Sequence, residues 1–332
     1  PDSSKLVFMR FDESKVPFFS MDIYGEGLYQ FPYKFRYPKA GESNSKVSLH
    51  IYDLKSKSIS NIKFSDNQEP YYIPRFKFTS DQNLLSVQTI NRKQNHLKFH
   101  LINLITEESK VILQEQSKTY LDVNDDFFFL PDNSFLWTSE KSGYNHIYHF
   151  DKNGKFISQI TKGSWEVTKI YNYRNKTREI FFGAAKSSSV DRGVYSIKLN
   201  SKKIKPITKE SGFNGAIFNR DASKFIHTYS DENTPPKYVI RESKNGALIR
   251  KIIDNEFLKN KLSKYNLPNK DFSTINLNGQ NLNYYIIKPK NFKSSKKYPL
   301  LLFQYSGPGS QQVSNRWGNN RDLWHKMLTK KG

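Results

Sequence analysis

A tyrosine followed by a glycine-rich turn is the part of this sequence whose residues could do chemistry. Tyr305 follows the apolar run Leu300–Phe303 after one intervening residue, and the turn formers Gly307, Pro308 and Gly309 follow it after Ser306. A tyrosine hydroxyl is a neutral donor at neutral pH, and at a strand end it could stabilise a developing oxyanion. The alternative is an ordinary strand-end tyrosine whose hydroxyl lies in water, and the residues alone leave both interpretations open.

Two other patterns could be mistaken for a site. Glu107 and Glu108 form the only adjacent glutamate pair in the sequence. They fall in a predicted hairpin turn, and we interpret them as surface residues. The segment from Gly307 to Ser310 resembles a phosphate loop only in its glycines, because it lacks the lysine and the glycine spacing that a P-loop needs. A tight turn is the better prediction.

The histidines do not predict a metal centre. Two pairs, His96 with His100 and His146 with His149, are close in sequence, but both pairs fall in predicted strands. Residues i and i+4 of a strand share a face, whereas i and i+3 do not. No third histidine lies close to either pair in sequence, and the sequence contains no cysteine. We therefore expect no metal and no other cofactor, and the absence of cysteine also excludes disulfides.

The element that must position Tyr305 is the run Leu300–Phe303. Four consecutive apolar residues bounded by turn formers predict a strand buried on both faces, as in a parallel α/β sheet. Polar residues just after such a strand lie at its carboxyl end, where open α/β sheets place their chemistry. Before this strand, the Asn278-Gly279 dipeptide between two alternating segments predicts a β-hairpin.

Most of the chain before residue 254 repeats one unit. A turn containing Asp or Asn leads into a short strand at segments that start at Pro1, Ser80, Pro131, Asn175 and Arg220. The three later intervals each fit one unit of about 45 residues, which is the length of a four-stranded propeller blade, and the first interval fits one unit plus an insertion. Hairpins with alternating apolar residues support this repeat; they are Leu49–Leu54 with Ile59–Phe64, Ile147–Phe150 with Phe156–Ile160, and Val194–Leu199 with Ile204–Ile207. A β-sandwich also has short strands, but the regular spacing favours a propeller.

These patterns predict a mainly β chain with a change of architecture near its end. Residues 1–253 form a partial propeller, interrupted at about 18–46 by an extended arm rich in aromatic and basic residues. Such a stripe could stack nucleic-acid bases, although packing of the arm against the propeller is favoured. Residues 254–270 have a helical period and form a linker helix. Residues 271–332 begin an α/β domain. Within them, residues 322–330 have helical spacing and predict a helix.

The charge of the chain is strongly basic. Lys and Arg number 53 against 31 Asp and Glu, which gives a net charge of +22. A basic surface could bind nucleic acid or an anionic membrane. The cations are scattered and accompany no nucleic-acid-binding motif, so a lysine-rich composition without a nucleic-acid partner is the favoured interpretation. No apolar run approaches the ~20 residues of a membrane span.

Several collinear segments resemble the dipeptidyl peptidase IV branch of the prolyl oligopeptidase family, in its bacterial form. They are Arg10–Pro17, Tyr33–Glu42, Phe135–Tyr148, Gln159–Val167 and Lys297–Gln311, with Trp317-Gly318 and Leu323-Trp324 beyond. Each segment alone is weakly specific, but their common order along the whole chain is highly specific. The resemblance implies about five blades of the family's eight-bladed β-propeller, followed by the first strands of an α/β-hydrolase domain.

The resemblance also implies a function. Family members are serine peptidases that remove Xaa-Pro or Xaa-Ala dipeptides from peptide N-termini by way of an acyl-enzyme. Tyr305 matches the family tyrosine that donates to the oxyanion. The Ser, Asp and His of the triad are implied to lie beyond residue 332, so that the chain alone is expected to be inactive.

The resemblance also implies a substrate-binding site, partners and a cellular location. The glutamate pair that holds the substrate's amino group is implied to lie just before residue 1, with Glu13 after it. Peptides are the implied partners, a homodimer is possible, and relatives are usually periplasmic or at the cell surface. The alternative function is a non-catalytic propeller that binds proteins or peptides. A Gly-x-Ser-x-Gly motif encoded after residue 332 would distinguish the two, since only the peptidase needs it.

Overall fold

A computed structural model describes residues 3–65, 72–305, 307, 309–318 and 320–331. Within these residues the chain is mainly β, as predicted, and its strands form five larger antiparallel sheets, two separate hairpins and two α-helices. Strands that are consecutive in sequence are neighbours in nearly every sheet. Contacts within each sheet are therefore local, which explains why short-range patterns predicted the strands.

The first three sheets occupy the N-terminal half. The first sheet has the order β1-β4-β5, because a hairpin of β2 and β3 is inserted after β1. The second and third sheets run β6-β7-β8-β9 and β10-β11-β12-β13. The strands are β1 Lys5–Asp12, β2 Phe18–Ile23, β3 Phe31–Arg36, β4 Lys46–Asp53, β5 Ile59–Asn61, β6 Tyr72–Phe78, β7 Leu84–Ile90, β8 His96–Asn103, β9 Ser109–Gln116, β10 Phe127–Phe129, β11 Phe135–Ser139, β12 His146–Phe150 and β13 Phe156–Gln159.

The remaining elements include the fourth and fifth sheets, which run β14-β15-β16-β17 and β18-β19-β20-β21. A last hairpin pairs β22 with β23. The elements are β14 Val167–Arg174, β15 Glu179–Ala184, β16 Gly193–Lys198, β17 Lys205–Pro206, β18 Phe213–Phe218, β19 Lys224–Ser230, β20 Lys237–Glu242, β21 Leu248–Ile253, α1 Glu256–Ser263, β22 Lys270–Leu277, β23 Gln280–Ile287 and α2 Asn320–Leu328.

The chain divides into two compact units, each with its own core. One unit contains Pro1–Asp125, Phe129–Phe135 and Phe150–Phe156. Its core joins the first two sheets through Leu49, Ile51, Leu85, Val87 and Ile102, among others. The other unit contains Asp126–Phe128, Leu136–His149 and Ile157–Gly332. Its core joins the fourth and fifth sheets through Phe181, Val194, Ile207, Ala216, Ala222 and Phe225.

The predicted hairpins are present. Strands β4 and β5, β12 and β13, and β16 and β17 follow one another as the alternating patterns indicated. Between β22 and β23, Asn278 has φ 52° and Gly279 has φ 80°. Two successive positive φ values define the tight type I′ turn that the Asn-Gly dipeptide favours. The helical patterns also correspond to helices, at Glu256–Ser263 and Asn320–Leu328.

The arm is a β-hairpin that supports itself. Strands β2 and β3 pair directly, and the rings of Phe19 and Phe35 face each other across them with centroids 5.8 Å apart. Its base is held where the Arg36 guanidinium donates to the Val16 carbonyl at 2.5 Å. At the tip, Leu28 is 97% exposed. The predicted packing of the arm against the propeller is therefore wrong for the tip, because cross-strand aromatic pairs hold the hairpin together instead.

In the described residues, Leu300–Phe303 does not form the predicted buried strand. Leu300 is 82% exposed and Leu302 is 78% exposed, and the run has no strand geometry. A central strand needs hydrogen-bonding neighbours on both sides and packed layers on both faces. The described residues supply neither to this segment, so its hydrophobicity alone does not make it a strand.

Some predictions fall outside the described residues. They concern Pro1 and Asp2 of the first turn, Pro308 of the turn after Tyr305, and Gly332 as the end of the last helix. The helices that the described residues form are too short and too polar to cross a bilayer.

Candidate active site

Tyr305 lies in an irregular segment with 61% of the residue exposed. Its ring folds back over Gly307. A Cβ added at position 307 would fall 2.6 Å from Tyr305 Cε1 and 3.0 Å from the tyrosine hydroxyl oxygen. Glycine is therefore the residue that permits this approach. The ring is supported by local packing, yet it remains open to solvent, which is the condition for meeting a substrate.

A hydrogen bond joins Gly307 and Ser310 on the C-terminal side of Tyr305. The Ser310 amide donates to the Gly307 carbonyl at 3.2 Å, and the Gln312 side-chain amide donates to Ser310 Oγ at 3.1 Å. These bonds connect Gly307, over which the Tyr305 ring lies, to Ser310 and Gln312. The placement of the tyrosine therefore depends on what holds the segments on either side of it.

On the N-terminal side, the anchor is Phe303. The Arg321 guanidinium lies 4.3 Å from the centre of the Phe303 ring, and the His325 ring lies 5.8 Å from it. Arg321 and His325 are four residues apart on α2 and so lie on one face of the helix. Burial lowers the pKa of His325, which favours the neutral imidazole against the phenylalanine. Helix α2 thus holds the segment that leads into Tyr305.

Helix α2 is fixed in turn by two ion pairs with low exposure. Asp322 pairs with Lys270 at the start of β22, and Lys326 pairs with Glu232 at 3.3 Å. The Lys270 ammonium also lies 4.7 Å from the centre of the Tyr285 ring. Burial raises the pKa of Tyr285, and the Asp322 charge raises it further. Breaking such a buried pair is costly because the remaining charge is left without its partner, so the pairs give α2 a defined position.

On the C-terminal side, Gln311 is held by the loop between β15 and β16. Its side-chain amide donates to the Ser189 carbonyl at 2.8 Å. Its side-chain oxygen accepts from Arg192 Nη2 at 2.5 Å. Arg192 also pairs with Glu166 at 3.2 Å. Burial lowers the pKa of Arg192 and the Glu166 charge opposes this. An arginine side chain stays charged in proteins, so the guanidinium can bind both Gln311 and Glu166.

Asn315 makes the second connection to the same loop. Its backbone amide donates to the Val190 carbonyl at 2.8 Å, and its side-chain amide donates to Asp191 Oδ1 at 3.0 Å. Its side-chain oxygen accepts from the Glu232 amide at 3.2 Å. Asp191 also accepts from the Gly212 amide at 3.0 Å. Residues 311–317 are therefore hydrogen-bonded to loops of both the fourth and the fifth sheet.

A buried histidine supports this loop from within the fifth sheet. Arg241 Nε donates to His227 Nδ1 at 3.0 Å, and His227 Nε2 donates to Asn214 Oδ1 at 2.9 Å. The Asn214 side-chain amide donates onward to the Arg192 carbonyl at 2.8 Å. Burial, with a contribution from the Arg241 charge, lowers the pKa of His227 to about 4. The histidine is thus a neutral bridge between Arg241 and the loop that carries Arg192.

The glutamates considered from the sequence lie away from Tyr305 in sequence and on the surface. Glu107 and Glu108 are exposed in the turn between β8 and β9, as predicted. Glu108 accepts from the Thr106 hydroxyl at 3.2 Å, which is a local turn contact. Glu13 is exposed in the turn after β1, where its carbonyl accepts from the Val16 amide at 2.9 Å.

The paired histidines make structural hydrogen bonds inside their sheets. His100 bonds to Thr89 Oγ1 at 2.9 Å. His146 lies 3.1 Å from Thr161 Oγ1 and donates to the Gly163 carbonyl at 2.9 Å. In the described part of the chain, no group of three or more His, Cys, Asp or Glu residues is arranged to hold a metal ion.

Sequence reasoning did not identify Asp191, Arg192, Gln311, Asn315 or Glu232. Their partners are far away along the chain; Arg192 and Gln311, for example, are separated by 119 positions. A short-range pattern cannot show such a pairing. The one available signal was the polar Asp191-Arg192 pair directly before the strand that starts at Gly193, a place where loops often carry function.

Known proteins of one family match this chain along nearly its whole length. The family model of the dipeptidyl peptidase IV (DPP IV) N-terminal region matches residues 1–236. Dipeptidyl peptidase 4 from Trichophyton equinum is 29% identical over 340 residues, covering 96% of this chain and 43% of that protein. Dipeptidyl peptidase 4 from Arthroderma otae is 30% identical with the same coverage of 96% and 43%. The crystal structure of Porphyromonas gingivalis dipeptidyl peptidase 4 matches with a TM-score of 0.91 at 35% identity, covering 100% of this chain and 47% of that one. The chain therefore spans less than half the length of these relatives.

Proposed function

Because this chain belongs to the family of the dipeptidyl peptidase IV N-terminal region, we propose that it is part of a longer serine-type dipeptidyl peptidase. The longer enzyme removes Xaa-Pro or Xaa-Ala dipeptides from the N-termini of peptides. Its chemistry is acyl transfer: a serine attacks the scissile carbonyl, an acyl-enzyme forms, and water hydrolyses it.

The proposal assigns a role to each part of the chain. Residues 1–253 supply about five blades of a β-propeller, with the arm at about 18–46 inserted in the first of them. Residues 254–270 link this propeller to residues 271–332, which begin the α/β-hydrolase domain. In that domain the apolar run Leu300–Phe303 becomes a sheet strand once neighbouring strands are present. The five antiparallel sheets, four of which consist of consecutive strands, and the exposure of Leu300 and Leu302 support this division.

Tyr305 is the one catalytic residue that the proposal places in this chain. Its hydroxyl donates a hydrogen bond to the oxyanion of the tetrahedral intermediate. The nucleophilic Ser, the Asp and the His follow beyond residue 332, and the glutamates that bind the substrate's amino group precede residue 1. A donor of this kind works when it is held in place before the reaction, since no reorganisation is then needed as charge develops.

The observation that carries the proposal is the combination of exposure and support at Tyr305. The residue is 61% exposed, its ring rests on Gly307, and the segments before and after it are anchored by α2 and by the loop between β15 and β16. An ordinary surface tyrosine needs none of these supports.

Substitution of the hydroxyl tests this role. In the full-length enzyme, Tyr305→Phe should lower kcat by about 10²–10³ with little change in KM, because the oxyanion exists only in the transition state. The measurement is steady-state hydrolysis of Gly-Pro and Ala-Pro chromogenic substrates. Tyr265→Phe, at another exposed tyrosine, is the matched control. A near-wild-type kcat for Tyr305→Phe would remove this residue from the mechanism.

The same assay tests the assignment of the triad. Residues 1–332 alone should give no hydrolysis of these substrates, because the proposed nucleophile is absent from them, whereas the full-length protein should be active. Turnover by the chain alone that survives purification to homogeneity would refute the proposal that the nucleophile lies outside it.

We further propose that the enzyme is a homodimer in which the arm contacts a second copy. The tip of the arm presents Tyr24, Leu28 and Tyr29 at 80%, 97% and 87% exposure. An exposed cluster of large apolar residues is typical of a protein–protein contact. Tyrosines are also among the residues that dominate the energy of such contacts.

A further inference from the structure

The loop between β15 and β16 and residues 311–317 form a polar junction that the proposed chemistry does not use directly. Asn315 binds Asp191 and Val190 in this loop, and Gln311 binds Arg192 and Ser189. Three of these hydrogen bonds involve side chains of Asn315 or Gln311, and all three are 3.0 Å or shorter. We call residues 189–192 the docking loop.

We infer that Asn315 and Gln311 are positioning residues for Tyr305, and that Asp191 and Arg192 of the docking loop hold them in place. This inference rests on the proposed function, because it concerns the placement of the proposed oxyanion donor. It goes further by assigning control of that donor to side chains of a loop between two strands of the fourth sheet, more than a hundred positions before the tyrosine in sequence.

The short distance along the chain makes the coupling direct. Gln311 is six positions after Tyr305, and the intervening turn is closed by the bond from Ser310 to Gly307. The Tyr305 ring rests on the first residue of that turn. A shift at Gln311 therefore moves the surface on which the ring lies. Displacement of a catalytic group by about 1 Å can lower a rate by about 10²-fold.

The docking loop is itself rigidly supported. The Arg192 amide donates to the Gly212 carbonyl at 2.9 Å, and the Asn214 amide donates to the Arg192 carbonyl at 2.8 Å. Asp191 accepts from the Gly212 amide and from the Ser211 hydroxyl, both at 3.0 Å. The loop is therefore tied to the start of the fifth sheet, and the junction can transmit a defined position to Tyr305.

A change of one atom type tests the junction. Asn315→Asp keeps the acceptor for the Glu232 amide but places a second carboxylate against Asp191, where a donor now lies 3.0 Å away. Like charges at this distance repel, so the junction should open. The double variant Asp191→Asn with Asn315→Asp restores a donor–acceptor pair. We expect the single variant to lower kcat by about tenfold or more with KM nearly unchanged. The double variant should recover part of this loss, because the like-charge repulsion is removed although the side-chain amide that Asp191→Asn introduces cannot accept from the Gly212 amide as Asp191 Oδ1 does.

A double-mutant cycle with Tyr305→Phe separates positioning from general stability. If Asn315 acts through Tyr305, then Asn315→Asp should change kcat by less than about twofold once the hydroxyl is gone, because the two losses are not additive. Asn245→Asp, which adds the same charge at an exposed turn between β20 and β21, is the matched control. All variants are assayed in the full-length enzyme after a thermal melt confirms folding.

The outcomes distinguish the inference from the function on which it rests. An unchanged kcat for Tyr305→Phe would overturn the proposed role of the tyrosine. A loss of kcat for Tyr305→Phe, together with an equal effect of Asn315→Asp in both backgrounds, would overturn the positioning inference alone.

If Asn315→Asp does not fold, Gln311→Met replaces it in the cycle, since it removes the bonds to Ser189 and Arg192 at a partly open site without adding charge. Additive losses with Gln311→Met would then overturn the inference.

Discussion

At the scale of single residues, the ring of Tyr305 and the backbone of Gly307 occupy adjacent space. The hydrogen atom that glycine carries in place of a side chain lets the ring lie directly on the turn. The same kind of dependence holds for His227, whose neutral form is required by two hydrogen bonds with fixed directions. A single substitution can test each case. At position 307 an added Cβ would meet the Tyr305 ring, and at His227 an added proton would remove the acceptor that binds Arg241.

Adding a methyl group at position 307 should displace Tyr305. In Gly307→Ala, the new Cβ would fall 2.6 Å from Tyr305 Cε1. We expect kcat of the full-length enzyme to fall by about tenfold or more, up to the ~10²–10³ that a lost oxyanion donor costs. Gly27→Ala in the arm is the matched control, since the nearest atom to its new Cβ would be 3.9 Å away. Equal kcat for Gly307→Ala and wild type would show that the ring position is unimportant.

Protonation of His227 should make the chain less stable in weak acid. The pKa of His227 is lowered to about 4, below the ordinary histidine value of 6.5, because burial and the Arg241 charge disfavour the imidazolium. Between pH 6.5 and 4 the unfolded chain therefore binds a proton that the folded chain does not. The free energy of unfolding contributed by this group is fully present above pH 6.5 and declines as the pH falls towards 4.

Denaturant titrations can measure this contribution. The slope from one such proton is at most about 1.4 kcal/mol per pH unit. In His227→Gln, which has no titrating ring, the free energy of unfolding should depend less on pH between 6.5 and 4 than in wild type. Parallel pH profiles for the two proteins would contradict the assignment.

At the scale of elements, the arm and helix α2 illustrate two ways of holding a short element in place. The arm hairpin depends on its own cross-strand aromatic pairs and on a few bonds at its base. Helix α2 has only nine residues and depends on ion pairs with Lys270 and Glu232, which lie outside it. Isolated helices of this length are unstable in water, so these tertiary contacts are needed to keep α2 beneath Phe303.

Removal of the apolar tip of the arm should weaken the proposed dimer. Leu28→Ser combined with Tyr29→Ser removes two side chains that are 97% and 87% exposed, so the folded monomer should lose little stability. We expect the full-length protein to shift from dimer to monomer, as measured by size-exclusion chromatography with light scattering at micromolar concentration. Ile105→Ser, at an apolar residue that is 68% exposed in the turn between β8 and β9, is the control. An unchanged dimer would exclude the arm tip as the contact.

At the scale of the whole molecule, the exposed run Leu300–Phe303 lacks the neighbouring strands and packed layers that the proposed longer enzyme would supply. Three consecutive leucines at 82%, 60% and 78% exposure are unfavourable in water. In the proposed enzyme this run is a central strand, covered and hydrogen-bonded by neighbouring strands. The same amino acids would then change from irregular to regular structure without any change in local sequence.

Hydrogen exchange tests this change directly. Amides of residues 300–303 should exchange rapidly in residues 1–332 alone and should be strongly protected in the full-length protein, because ladder hydrogen bonds slow exchange. Amides of β15 should be protected in both proteins, since its core residues are buried here already. Rapid exchange of residues 300–303 in the full-length protein would exclude a central strand at this position.

The local elements of this protein and its family can be predicted from the amino-acid sequence. Hairpins such as β22–β23 follow from an Asn-Gly turn between alternating segments, because both signals act within about ten residues of chain. Collinear motifs sufficed for the family resemblance, and the match over residues 1–236 agrees with it. Three features become visible only in the folded chain: Leu300–Phe303 is exposed, the arm tip is unpacked, and Asn315 contacts Asp191 across 124 positions. Burial and long-range hydrogen bonds depend on which distant segments meet, and no short pattern in the sequence carries that information.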